Sequence, residues 1–112
     1  KGVAGQGIYA ASKWAVRGLV RSAALDGAPY GIRVNMVSPG GIDGERLRRL
    51  FRQSVERAGE APDAPYNRFV KSTALGRLVG EDEVAHAVLH LLGPGGRMMT
   101  GQDIIVDAGT II

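Results

Sequence analysis

Residues 8–25 are rich in Ala, free of Pro and interrupted by a single Gly18. The pattern predicts a helix of about five turns that Pro29 closes. Its apolar residues (Ile8, Ala11, Trp14, Ala15, Val16, Leu19, Val20, Ala23, Ala24) cover most of the circumference. A helix apolar nearly all round has to be covered on more than one side, so one side is expected to meet a sheet and another a partner. After the turn at residues 29–31, residues 32–38 have strand character, and Pro39-Gly40-Gly41 stops them. Asp43 is placed to cap a helix running to Ala58, in which Leu47, Leu50, Phe51, Val55 and Ala58 recur at helical spacing and leave the arginines outward.

Residues 59–65 read as a loop and residues 66–72 as a short helix. Gly80 precedes Glu81-Asp82-Glu83, three acids that favour the positive end of a helix running to Leu92, where residues 93–96 (GPGG) end it. Residues 103–107 (DIIVD) are apolar without alternation, the pattern of a strand covered on both faces. Two such strands joined by helices cannot satisfy their own sheet edges. The expected architecture is therefore α/β: the C-terminal part of a doubly wound parallel sheet whose N-terminal strands are missing. The start at Lys1 without Met, and three glycines within residues 1–7, agree with a loop cut open at the N-terminal side.

Composition narrows the function classes. With 112 residues, 45% hydrophobic and 22% charged, the chain has the make-up of one globular unit. No Cys is present, which excludes a disulfide framework and a thiolate metal site. Apolar runs such as residues 88–92 fall far short of the ~20 residues that cross a bilayer, so no membrane partner is expected. No secretory signal is legible, and a cytoplasmic location is the default expectation. The net charge is +3. Many basic residues lie in 46–57, interleaved with Glu45 and Glu56, and a solvated helix face accounts for them more cheaply than a nucleic-acid surface.

Candidate chemistry lies at the start of the first helix. Tyr9 and Lys13 are four residues apart, so both side chains project from one face within reach of a common ligand. A phenol ordinarily titrates near 10, too high for a base at neutral pH, but a neighbouring ammonium favours the phenolate. Lys13 is suited to supply that field while its N–H donors hold a ligand hydroxyl. Most Tyr and Lys pairs at this spacing are a half-buried aromatic and a solvated charge, so the pair is weak alone. It gains strength from the ordered blocks along the chain: YAASK at residues 9–13, GIRVN at 31–35, SPG at 38–40, TGQ at 100–102 and VDAG at 106–109.

In these blocks the chain resembles the second half of the short-chain dehydrogenase/reductase family over nearly its whole length. The resemblance implies a Rossmann-type oxidoreductase domain of which residues 1–112 are the C-terminal portion, with residues 42–75 as a substrate lid. It implies NAD or NADP as cofactor and a small-molecule alcohol or carbonyl compound as substrate. Tyr9 would donate or accept the proton at the substrate oxygen, and Lys13 would assist it and bind the nicotinamide ribose. Pro39 and Gly40 would lie against the nicotinamide, with the Ile42 backbone as partner of its carboxamide. A homotetramer or homodimer is implied too, with the Tyr9 helix against a symmetry mate.

Several residues depart from that pattern or tempt another reading. The family's glycine-rich phosphate loop, Asn and catalytic Ser lie upstream of this chain, so Ser12 and Ser38 are not promoted in their place and the 112 residues alone are expected to be inactive. Gly44 stands where many members have Thr, and Ala108 replaces the first Gly of a V-D-G-G ending. The lid carries seven Lys plus Arg against five Asp plus Glu, which an amphipathic helix with a wet outer face explains. Glu83, His86 and His90 superficially offer metal ligands, but Val84, Val88, Leu91 and Leu92 mark the core side and turn the histidines outward. Met98 and Met99 read as packing beside the last strand. The competing function is a non-catalytic relative that keeps the fold for assembly or ligand binding; a nucleic-acid module ranks below it.

Overall fold

The computed structural model describes residues 4–110, so residues 1–3 of the opening glycine loop lie outside the described residues. A turn at residues 4–5 leads into helix α1, Gly7–Gly27. Pro29 does not simply stop α1: it sits in the first turn of a short 3-10 helix, Ala28–Tyr30, where its missing N–H costs nothing. Gly31 closes that turn at φ 68, a left-handed conformation that glycine adopts freely. Strand β1 is Met36–Pro39, followed by α2, Glu45–Ala58, α3, Ala64–Lys71, and α4, Glu81–Leu92. A second 3-10 turn, Pro94–Gly96, precedes strand β2, Asp103–Val106.

Among the described residues two strands make the sheet. The Met36 N–H donates to the Gln102 carbonyl at 2.9 Å and the Gly40 N–H to the Val106 carbonyl at 2.9 Å. Donor and acceptor advance by the same step, so β1 and β2 are parallel.

The chain divides into two compact units, Lys1–Ser38 with Ala87–Ile104, and Pro39–His86 with Ile105–Ile112. In the first, Ala24 of α1 and Leu91 of α4 are buried. In the second, Leu78 and Val79 are buried beside Thr73. Phe51 of α2 meets Tyr66 edge-on at 6.3 Å and Phe69 at 6.0 Å, which packs α2 on α3.

Several expectations need correction. Residues 32–35 are not strand: the Gly101 N–H reaches the Val34 carbonyl, the Val34 N–H goes to the Thr100 hydroxyl, and the Arg33 and Asn35 side chains bond the Met99 carbonyl. Isolated backbone contacts and side-chain bonds to the facing segment stand in place of a ladder, and β1 begins only at Met36. Asp43 does not cap α2, which starts at Glu45 with Gly44 before it; the Asp43 carboxylate pairs with Arg48 at 2.9 Å instead. The helix expected over 66–72 begins at Ala64, because Pro65 is well placed in a first turn. Within the described residues most strand positions are half-buried, and Ile105 is 45% exposed. On α4 the inward line runs through Val84, Ala87 and Leu91, leaving Val88 and Leu92 exposed. Met98 is 95% exposed and does not serve as packing among the described residues.

Candidate active site

Tyr9 lies in the first turn of α1 and is 58% exposed. One turn on, the Lys13 ammonium stands over its ring, 5.5 Å from the centroid, so the two side chains share one side of the helix. Among the described residues neither the Tyr9 hydroxyl nor the Lys13 ammonium has a hydrogen-bond or ion-pair partner. The Ser12 hydroxyl donates to the Tyr9 carbonyl at 2.7 Å, a local back-bond within the helix.

A further turn along the same stripe comes Arg17, a residue that no motif in the sequence marks. Its guanidinium stacks on the exposed Trp14 ring at 4.8 Å and pairs with Asp103 at 2.6 Å, the Arg17 and Asp103 side chains both largely buried. The Ser38 hydroxyl donates to the other Asp103 oxygen. Tyr9, Lys13 and Arg17 thus form one line at i, i+4 and i+8, and its inner end is tied to the first residue of β2. The only signal for it in the sequence is that spacing, together with an acid opening an otherwise apolar strand.

In the second unit, Pro39 ends β1 and the chain turns through Gly40, Gly41 and Ile42. The glycines there have a packing cause. A Cβ on Gly40 would stand 2.7 Å from the Asp107 Cα, and one on Gly41 would run into the Phe69 ring. Close approach at Gly40 therefore already occurs within the protein. Ile42 forms a parallel bridge with Val79: the Val79 N–H donates to the Gly41 carbonyl at 2.9 Å, and the Asp43 N–H to the Val79 carbonyl at 2.8 Å. Alternation along an extended chain points the Ile42 N–H to the opposite side, and among the described residues it meets no acceptor.

Gly44 is extended, and a Cβ there would meet only a Glu81 oxygen at 3.5 Å, so packing does not demand glycine at that position. Ala108 is different. Its φ of 55 makes it the one non-glycine residue in the left-handed region among those described, a conformation that costs an L-residue about 1–2 kcal/mol.

Glu83 accepts from the Gly80 N–H and from Arg77, closing the first turn of α4 as the N3 acid of a capping box does. The Arg77 hydrogen bond first, and the Gly80 N–H second, hold its carboxyl below the usual carboxylate range. His86 and His90 are exposed on the far side of α4, and among the described residues no three His, Asp or Glu side chains converge as metal ligands. A cleft of about 170 Å³, lined by Leu75, Arg77, Val79, Glu83, Val106 and Ala108, contains none of the five residues singled out from sequence.

Residues 1–110 match the family model described as Enoyl-(Acyl carrier protein) reductase. The chain belongs to the short-chain dehydrogenase/reductase family. Among relatives of this dehydrogenase/reductase chain, a diacetyl reductase [(S)-acetoin forming] from Staphylococcus aureus is 36% identical over 109 residues, covering 97% of this chain and 42% of the relative. A short chain dehydrogenase family protein from Francisella tularensis superposes with a TM-score of 0.91 at 33% identity, covering 97% of this chain and 45% of that one. An actinorhodin polyketide ketoreductase solved with NADPH gives 0.88 at 30% identity, over 98% of this chain and 42% of that one. The α/β fold is thus that of the family's Rossmann-like structures, and the chain spans less than half the length of these relatives. It belongs to a family of oxidoreductases that use NAD or NADP. No helix among the described residues is long and apolar enough to cross a membrane.

Proposed function

We propose that the protein carrying this chain is an NAD(P)-dependent oxidoreductase that interconverts a small-molecule alcohol and a carbonyl compound, with Tyr9 as acid/base and Lys13 as its assistant. The observation that supports this most is the Lys13 ammonium over the exposed Tyr9 ring, on a chain that the family model matches from residue 1 to residue 110.

The dinucleotide supplies the hydride donor or acceptor when bound. In the reducing direction Tyr9 Oη gives its proton to the carbonyl oxygen as the adjacent carbon is reduced; in the oxidising direction it takes the proton from the alcohol. Lys13 offers a fixed positive charge to the oxygen that the departing proton leaves negative, and its N–H donors are available to ribose hydroxyls. Arg17, held by Asp103, keeps the face that carries both side chains from rolling. The unengaged Ile42 N–H is a suitable donor to the carboxamide oxygen of the nicotinamide, with Pro39 and Gly40 forming the wall before it. Residues 42–75 are read as the substrate lid, built from α2 and α3. Assembly as a homodimer or homotetramer belongs to the same reading, because Ile8, Trp14, Leu19 and Leu25 stand 91%, 57%, 68% and 76% exposed on α1.

The test uses the full-length protein. Loss of reduced-nicotinamide absorbance on adding a panel of small carbonyl compounds is the expected result, and Lys13→Met should weaken NAD(P)H binding and lower turnover together. Binding of NAD(P)H without turnover of any alcohol or carbonyl compound would favour a ligand-binding module instead.

A further inference from the structure

The excess charge of the chain resides on one helix. Helix α2 holds five arginines and two glutamates, and the remainder of the sequence is balanced at nine basic and nine acidic residues, so α2 carries the whole +3. Every basic residue in α2 is Arg, the side chain whose planar fork grips a carboxylate in bidentate fashion.

The five are not equivalent. Arg48 pairs with Asp43 and Arg52 with Glu45, on one side of the helix. Arg46, Arg49 and Arg57, with Gln53 between them, fall on a separate stripe at i, i+3, i+7 and i+11, all exposed. Among the described residues those three arginines have no ion-pair partner. Elsewhere among the described residues the cations without a carboxylate, such as Arg21, Lys71 and Arg97, lie on different elements, whereas these three share one stripe of one helix. Leu50 flanks it, 49% exposed.

We propose that this stripe is a docking face for an acidic α-helix of a partner protein. The stripe extends about 16 Å along the axis, at one polar side chain per turn, and a second helix with a carboxylate on each successive turn repeats the same step. Two features favour a protein over a nucleic acid. Leu50 offers an apolar contact that a phosphate backbone does not use, and Glu45 and Glu56 border the stripe, where they repel a uniformly charged polyanion while discrete carboxylates avoid them.

The experiment measures binding of the full-length protein to a labelled Ala-based helical peptide with Glu at i, i+3, i+7 and i+11, by fluorescence anisotropy at physiological salt. An isomeric peptide with the same glutamates scattered round the helix and a short DNA duplex are the comparison probes. The striped peptide is expected to bind at least about tenfold more tightly than either. The combined variant Arg46→Gln, Arg49→Gln and Arg57→Gln, its fold checked by circular dichroism, should lose at least about tenfold. Removing equal charge elsewhere with Arg21→Gln, Lys71→Gln and Arg97→Gln should change binding by less than about threefold. Failure of the striped peptide to bind below about 1 mM, equal binding of the scattered peptide or the duplex, or equal losses in the two variants would each overturn the proposal.

Discussion

Asp103 holds Arg17 at 2.6 Å and takes the Ser38 hydroxyl on its other oxygen, so one largely buried carboxylate serves two elements. Arg17→Met leaves that carboxylate short of its charge partner, and a loss of about 1–3 kcal/mol in chemical denaturation of the full-length protein is expected. Ala108 gives the opposite sign. Ala108→Gly removes a Cβ from a left-handed conformation, and after the entropic cost of glycine it should stabilise by up to about 1 kcal/mol, measured the same way. Glu83 carries a pH dependence. Its folded carboxyl titrates below its ordinary value, so the contribution of its bonds to Arg77 and Gly80 is fully present above about pH 4.3 and is lost as pH falls through the lower folded value. Glu83→Gln should flatten that part of the curve of Tm against pH. That Tyr9 and Lys13 share one side of α1 is legible in the sequence because the spacing that sets it lies within five residues. Arg17 with Asp103 is not, since the partners are 86 positions apart and only folding brings them together.

At the level of elements, helices are more legible than strands. Helical periodicity and the Gly and Pro punctuation place α1, α2 and α4 to within two residues of their observed ends, because those signals are local. Residues 32–35 look like strand by composition, yet Arg33 and Asn35 spend their donors on the carbonyls of residues 96 and 99, a choice set by a segment over 60 positions away. The packing need for the glycines after β1 is not legible, since Asp107 and Phe69, which a Cβ on Gly40 or Gly41 would strike, lie far along the chain. Gly41→Ala should therefore destabilise by about 1–3 kcal/mol, since the rigid Phe69 ring must shift against Phe51. Circular dichroism melts of the variant and parent read this directly.

Across the whole molecule, the apolar circumference of α1 is the most informative line of sequence. Few of its residues are buried within the described chain: Ala24 is, while Ile8, Leu19 and Leu25 stand more than two-thirds exposed. About 25 cal/mol per Å² of apolar surface favours covering such a face. In the full-length protein Leu19→Glu should shift a dimer or tetramer toward smaller species in analytical ultracentrifugation, and an unchanged sedimentation coefficient would place the interface elsewhere. The family is readable from five ordered motifs, but substrate identity and the choice between NAD and NADP are not, since the ribose-selecting residue lies upstream in the family pattern.

The most direct measurement is single-turnover hydride transfer by full-length Tyr9→Phe beside NADPH and NADH binding by the same variant. Removing one hydroxyl from an exposed phenol leaves the fold unchanged, so cofactor affinity should stay within about threefold while the transfer rate falls by at least about 10². Transfer at the parent rate with cofactor bound would contradict the assignment of Tyr9 as the proton donor and acceptor.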